Sequence, residues 1–197
     1  MIKLNLGFLV SHSGSNMQAI IESVKSGKLS ANLCAVISNN NNSFASERAK
    51  KENIPAFVIN DTTHPNKTNE EIVKIFKANN VDTIILAGYM KLVSKHLIDS
   101  FNNRILNIHP ALLPKFGGKG MYGINVHKAV IESRDTITGA TIHIVNNEYD
   151  KGKILQQMQV AVLPYDTPEI LAERVLKIEH ILYSDTLIKI ANGEIKF

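Results

Sequence analysis

The sequence predicts a doubly wound α/β fold: a mostly parallel sheet, an antiparallel C-terminal hairpin and a long closing helix. Three observations predict it. Short, nearly unbroken apolar runs alternate with helix-patterned stretches as far as Ala87. Two strand-patterned runs near the C-terminus are separated by the polar stretch Asn146–Gly152 instead of a helix. The last patterned stretch carries one apolar stripe at helical spacing.

In chain order, Leu4–Val10, Leu33–Ser38, Ala56–Ile59 and Thr83–Ala87 are expected strands, because continuous apolar strands belong to a sheet covered on both faces. Met17–Lys25, Phe44–Glu52 and Asn69–Ala78 lie between them as expected helices. Arg104–His109 is a further strand, which Pro110 ends by removing a donor and fixing φ. A Gly-rich loop, Phe116–Gly123, and a short helix, Val126–Ser133, lead to strands Thr138–Val145 and Lys153–Val160, whose spacing suits an antiparallel pair. The closing helix opens with Asp166 or Thr167 as cap, Pro168 in the first turn and Glu169 at the positive end. Leu171, Val175, Ile178 and Leu182 form its apolar stripe. With no repeat or linker, residues 1–197 are expected to be one domain.

Composition narrows the function. The chain is 44% hydrophobic and 20% charged, enough to bury a substantial core. A net charge of +4 suits anionic ligands such as phosphates or carboxylates; a Lys- and Asn-rich background explains it equally well. The positive residues are scattered and aromatics make up only 6%, which argues against nucleic acid. Cys34 is the only cysteine, so no intrachain disulfide or multi-Cys zinc site is available; in its apolar run a buried, inert thiol is expected. No run reaches transmembrane length, and Met1–Leu4 leads into a strand without a signal-peptide layout. A reducing, cytoplasmic location and no membrane partner are expected.

Several residues could carry chemistry. On an extended strand, i and i+2 share a face, so Asn107 and His109 point the same way at a strand's carboxyl end, where open α/β sheets bind ligands. The pair reads as an amide donor for an oxyanion beside a tunable imidazole, or as plain strand-end hydrogen bonding. Ser13-Gly14-Ser15-Asn16 feeds a helix and offers backbone N–H groups to a single phosphate; alternatively Ser15 or Asn16 merely caps. Neither a Walker A sequence nor G-x-G-x-x-G is present, which disfavours a dinucleotide. Asp150 could orient and charge an imidazole, or be a turn aspartate before Gly152. His143 is taken as a core histidine. The scattered histidines lack metal-ligand spacing, so no metal is expected.

Together these motifs resemble the phosphoribosylglycinamide formyltransferases, folate-dependent enzymes of purine synthesis. Ser13–Asn16, Leu86-Ala87-Gly88-Tyr89-Met90, Leu106–Pro114, Gly139–His143, Asp150–Gln156 and Glu179-His180 carry the resemblance, in order, over nearly the whole chain. It implies a Rossmann-like formyltransferase fold, with a phosphate-binding half at 1–100 and a catalytic, folate-binding half at 101–197. It implies Asn107, His109 and Asp150 as the catalytic trio. Gly14, Ser15, Asn16 and Glu179 would bind the glycinamide ribonucleotide. Lys67, Met90, Lys91, Leu92, Val93 and Asn107 would line the folate site. A cis bond at Leu113-Pro114 is also implied. Lys91 stands where an Arg is common and lacks its bidentate fork. His12 replaces a common Gly, and Phe116-Gly117-Gly118 replaces a common Pro-Gly turn.

The implied reaction moves a formyl group from 10-formyltetrahydrofolate to the amine of 5'-phosphoribosylglycinamide. Asn107 and a protonated His109 would meet the oxyanion while Asp150 sustains that proton. No metal or nicotinamide is expected, because formyl on this folate nitrogen is already activated. The expected partners are these two small molecules, and the expected state is a monomer or weak homodimer. Formyltetrahydrofolate hydrolase and methionyl-tRNA formyltransferase are the alternatives; they are disfavoured by the expectation that no further domain flanks this one. A non-catalytic nucleotide-binding module is the alternative from another class.

Overall fold

A computed structural model describes residues 2–197, so the first residue of the Met1–Leu4 stretch lies outside it. The elements run β1 (Leu4–Val10), α1 (Ser15–Lys25), β2 (Ala31–Ser38), α2 (Phe44–Lys51), β3 (Ala56–Val58), α3 (Thr68–Ala78) and β4 (Thr83–Ala87). They continue with α4 (Lys95–Ser100), β5 (Ile105–His109), α5 (Ile124–Glu132), β6 (Ile137–Ile144), β7 (Ile154–Ala161) and α6 (Pro168–Asn192).

The strands form one sheet in the order β3-β2-β1-β4-β5-β6-β7. β3, β2, β1, β4 and β5 are mutually parallel, whereas β6 runs antiparallel to both β5 and β7. The winding direction reverses between β1 and β4, and such a reversal opens a crevice at the strands' carboxyl ends. The doubly wound fold, the parallel sheet and the C-terminal hairpin are therefore as expected.

Alternation along the strands divides the core. Leu6, Phe8, Leu106 and Ile108 pack with Met17 and Ile20 of α1, Val130 of α5, and Leu171, Val175 and Leu182 of α6. Leu9, Ile84, Leu86 and Ile105 face the other way, against Ile72 and Phe76 of α3 and Leu97 of α4. Tyr183 of α6 is fully buried, and its hydroxyl is shared between the Leu86 and Leu106 carbonyls at 3.2 and 2.9 Å. It ties the closing helix to β4 and β5 beneath the crevice.

Two expectations change, and one left open between two residues is resolved. Helix α4 was not expected: at six residues it is too short to show a periodicity, though Ser94 caps it by accepting from the Leu97 N–H at 3.2 Å. At α6 the cap is Thr167, which accepts from the Ile170 N–H; Asp166 instead pairs with Arg174 and accepts from the Leu163 N–H. Cys34 is half-buried at the margin of the second core, not fully buried. Burial and the nearby Asp82 still push its thiol up, away from the reactive thiolate.

Candidate active site

Pleating puts Leu106 and Ile108 into the first core, so Asn107 and His109 share the opposite face at the end of β5. His109 is buried at 3% exposure and Asn107 is half-buried. Asp150 approaches from the connection between β6 and β7. That connection folds close to β6 because residue 152 is glycine: a Cβ there would lie 1.6 Å from the Ile144 carbonyl oxygen. Asp150 itself takes a left-handed backbone, φ 56°. Its Oδ2 stands 3.5 Å from His109 Nδ1 and accepts from the Gly118 N–H at 2.9 Å. His109 Nε2–H donates to the Phe116 carbonyl at 2.8 Å. The loop after Pro114 thus grips both residues, and the Leu113-Pro114 bond is cis.

His143 joins them. It lies opposite Asn107 in the β5–β6 register, with its Nε2 3.1 Å from Asn107 Nδ2 and 3.5 Å from Asp150 Oδ1. Its Nδ1–H donates to the Ile144 carbonyl at 3.1 Å, which makes Nε2 an acceptor for the Asn107 amide. The amide's second N–H is left for a ligand. His143 is buried and hydrogen-bonded as expected of a satisfied core histidine, and its Nε2 also orients the Asn107 amide. The signal was its i+2 alternation with Thr141, which is decisive only once β6 is known to pair with β5.

The electrostatics are set by burial. Burial pulls the His109 ring below its ordinary value; Asp150 and the Phe116 carbonyl oppose this without reversing it, and His143 adds to it. For Asp150, burial pushes upward, but the rings of His143 and His109 and the Gly118 N–H outweigh it and leave the carboxyl lowered. A neutral imidazole therefore faces a carboxylate. His127 of α5, not singled out by the sequence, is buried with an unpartnered Nδ1; burial and then the His109 ring lower it to about 4.

The second part of the crevice is the turn after β1. Helix α1 begins at Ser15, earlier than the expected Met17, with Gly14 in the cap position at φ 65° and no side-chain cap bond. Capping by Ser15 or Asn16 is thereby excluded, because both lie inside the first turn. A Cβ on Gly14 would lie 2.6 Å from that of Ala45, so this position needs glycine for both conformation and space. The N–H groups of Ser13 and Gly14 have no acceptor among the described residues, and those of the first helical turn are unpaired by geometry. Asn16 donates through Nδ2 to Glu179 Oε2 at 2.8 Å, while its Oδ1 is buried without a partner. Glu179 is itself buried at 9% exposure.

A carboxylate–imidazole–amide cluster and a turn of free N–H groups at the same end of the sheet suit acyl transfer to a phosphorylated acceptor. Residues 4–187 match the formyl transferase family. The chain is 43% identical to a chloroplastic phosphoribosylglycinamide formyltransferase of Arabidopsis thaliana, over 98% of this chain and 67% of that protein. It is 41% identical to the corresponding Vigna unguiculata protein, over 92% of this chain and 59% of that one. This chain belongs to the formyl transferase family. Among formyl transferase structures, glycinamide ribonucleotide transformylase 1 of Symbiobacterium toebii superposes with a TM-score of 0.91 at 34% identity, over 99% of this chain and 91% of that one.

In this formyl transferase the segment after β4 borders the crevice. Met90 and Leu92 expose apolar surface at 48% and 56%, and the Met90 N–H donates to Ser11 Oγ at 2.9 Å. Val93 turns into the second core and supports the segment from behind. Lys91 Nζ lies 2.7 Å from Asp61 Oδ2, and Lys67 occupies the exposed cap position of α3. No group of three or more His, Cys, Asp or Glu side chains among the described residues is arranged to hold a metal ion, and no helix there is long and apolar enough to cross a membrane.

Proposed function

We propose that this chain transfers the formyl group of 10-formyltetrahydrofolate to the primary amine of 5'-phosphoribosylglycinamide, in purine biosynthesis. The observation that carries this is the convergence of Asn107, His109 and Asp150 at the end of β5, across the crevice from the N–H turn at Ser13–Asn16. The resemblance of the chain to phosphoribosylglycinamide formyltransferases supports the choice of acceptor.

The ribonucleotide phosphate sits on the turn formed by Gly14, Ser15 and Asn16, and Glu179 lies beside its ribose. Residues 1–100 thus hold the acceptor's phosphate, and residues 101–197 carry the chemistry, within one domain. The folate lies along Met90, Lys91 and Leu92, with Val93 behind them and Lys67 at the rim. The amine attacks the formyl carbon, and the carbonyl electrons move onto oxygen. The free N–H of Asn107 meets that oxyanion. Since burial leaves His109 neutral at rest, its proton arrives with the reaction: the attacking amine becomes ammonium-like and loses a proton toward the Asp150–His109 pair. The proton is held on His109 Nδ1 beside Asp150, and the charged ring stabilises the oxyanion through its field. Collapse of the intermediate re-forms the carbonyl and breaks the bond to the folate nitrogen, which leaves with that proton. We assign the activity to the reducing cytoplasm, on a chain with the single cysteine Cys34, acting as a monomer or weak homodimer.

The test follows the absorbance change of 10-formyltetrahydrofolate with and without the ribonucleotide. Turnover only with the ribonucleotide supports the transferase. Equal turnover without it makes the protein a hydrolase, and no turnover in either case returns it to a binding role.

A further inference from the structure

The anion turn does not stand alone. The start of α2 contacts its back at successive carbonyls. The His12 carbonyl accepts from the Ala45 N–H at 3.1 Å and from Ser43 Oγ at 3.1 Å. The Ser13 carbonyl accepts from Arg48 Nε at 3.0 Å. The same guanidinium reaches α1, donating through Nη1 to Gln18 Oε1 at 3.3 Å.

In a trans peptide the C=O of one residue and the N–H of the next point in opposite directions. Holding the His12 carbonyl from behind therefore drives the Ser13 N–H forward. Holding the Ser13 carbonyl drives the Gly14 N–H forward. Both N–H groups lack an acceptor among the described residues, as do those of the first turn of α1 that follows them. A second observation marks the turn as a place for a ligand: Asn16, 7% exposed, carries a buried Oδ1 with no partner.

We propose that Arg48 is a positioning residue for the substrate phosphate, acting through the Ser13 carbonyl without touching the ligand. Its guanidinium aims the Gly14 N–H, braces the first turn of α1 through Gln18, and adds positive potential behind the anion. Arginine is required because two donors of one planar fork serve two acceptors at once; an ammonium on a flexible stem supplies the charge without the geometry. The inference rests on the proposed phosphate role of the turn and adds what sets its shape.

The test uses inorganic phosphate as the probe on the whole chain, with amide resonances of residues 13–17 read by NMR. The wild type is expected to show saturable shifts at Gly14 and Ser15. Arg48→Met is expected to weaken phosphate about tenfold, the size of one lost charge-assisted hydrogen bond, with Arg48→Lys in between. In the turnover assay, Arg48→Met should raise KM for the ribonucleotide about tenfold, leaving KM for the folate and kcat within about twofold. Unchanged phosphate affinity in a folded Arg48→Met protein overturns the proposal, as does an absence of phosphate shifts in the wild type. If phosphate binds and depends on Arg48 but no ribonucleotide-dependent turnover is found, the positioning role stands and the transferase assignment fails.

Discussion

His109 and Asp150 face each other at 3.5 Å in a pocket that leaves the imidazole 3% exposed. In the proposed mechanism each depends on the other to hold a proton at the right moment. His109→Ala and Asp150→Asn are each expected to lower kcat by roughly 10²–10⁴, the usual worth of a positioned acid or base, while both KM values stay within a few-fold. Steady-state kinetics checks this; near wild-type turnover in His109→Ala would remove the imidazole from the mechanism. Glu179 gives a prediction of a different kind. Burial pushes its carboxyl up to about 7 from an ordinary 4.5, with the Asn16 N–H pulling the other way. Between those values the native state keeps a proton that the unfolded chain has released, so stability falls as pH rises through the window and levels off above it. Glu179→Gln should flatten that slope and unfold later in urea above about pH 7. Parallel stability profiles for the two proteins would mean the carboxyl titrates normally.

At the scale of elements, β6 does the most to assemble the site. Thr141, wholly buried, donates to the Ala111 carbonyl at 2.6 Å and accepts from the Leu113 N–H at 3.0 Å. Gln157 of β7 adds bonds to Thr141 Oγ1 and to the Leu113 carbonyl, both 2.9 Å. This network fixes the turn that follows His109. Thr141→Val keeps the shape but leaves a buried N–H and an amide short of partners. It should cost about 1–3 kcal/mol of stability and lower kcat as the turn shifts; a denaturation midpoint and kcat both matching wild type would refute the coupling. Legibility also divides at this scale. The pairing of Asn107 with His109 could be read from the strand period alone, because i and i+2 share a face. The approach of Asp150 and the part played by His143 could not, because both depend on which strand lies beside β5. A strand period reports faces and says nothing of neighbours. The same limit hid α4, whose single capped turn and a half carries too little pattern to register.

For the whole molecule, the parallel, doubly wound half follows from the alternation of apolar strands and helices, which is why the fold class was legible as far as Ala87. What the alternation could not convey is that α6 joins both parts of the chain. It packs on α1, α5, β6 and β7 and sends Tyr183 to the carbonyls of β4 and β5. One cooperative unfolding transition is therefore expected, with probes in residues 1–100 and 101–197 melting together. Tyr183→Phe should shift both probes equally, by about 1 kcal/mol for the lost hydroxyl bond; separate transitions would show two independent units. The placement of Tyr183 and Glu179 on α6, after the strands and turn it backs, also has a bearing on synthesis. A chain leaves the ribosome from its N-terminal end, so the turn at Gly14 and the strand bearing His109 emerge well before the helix that backs them. Asn16 waits for its carboxylate, and β4 and β5 wait for the phenol that ties the helix to them. The crevice is closed by α6, which emerges after the strands and turn it backs, so a nascent chain carries the proposed reactive groups before the proposed seat for substrate is finished.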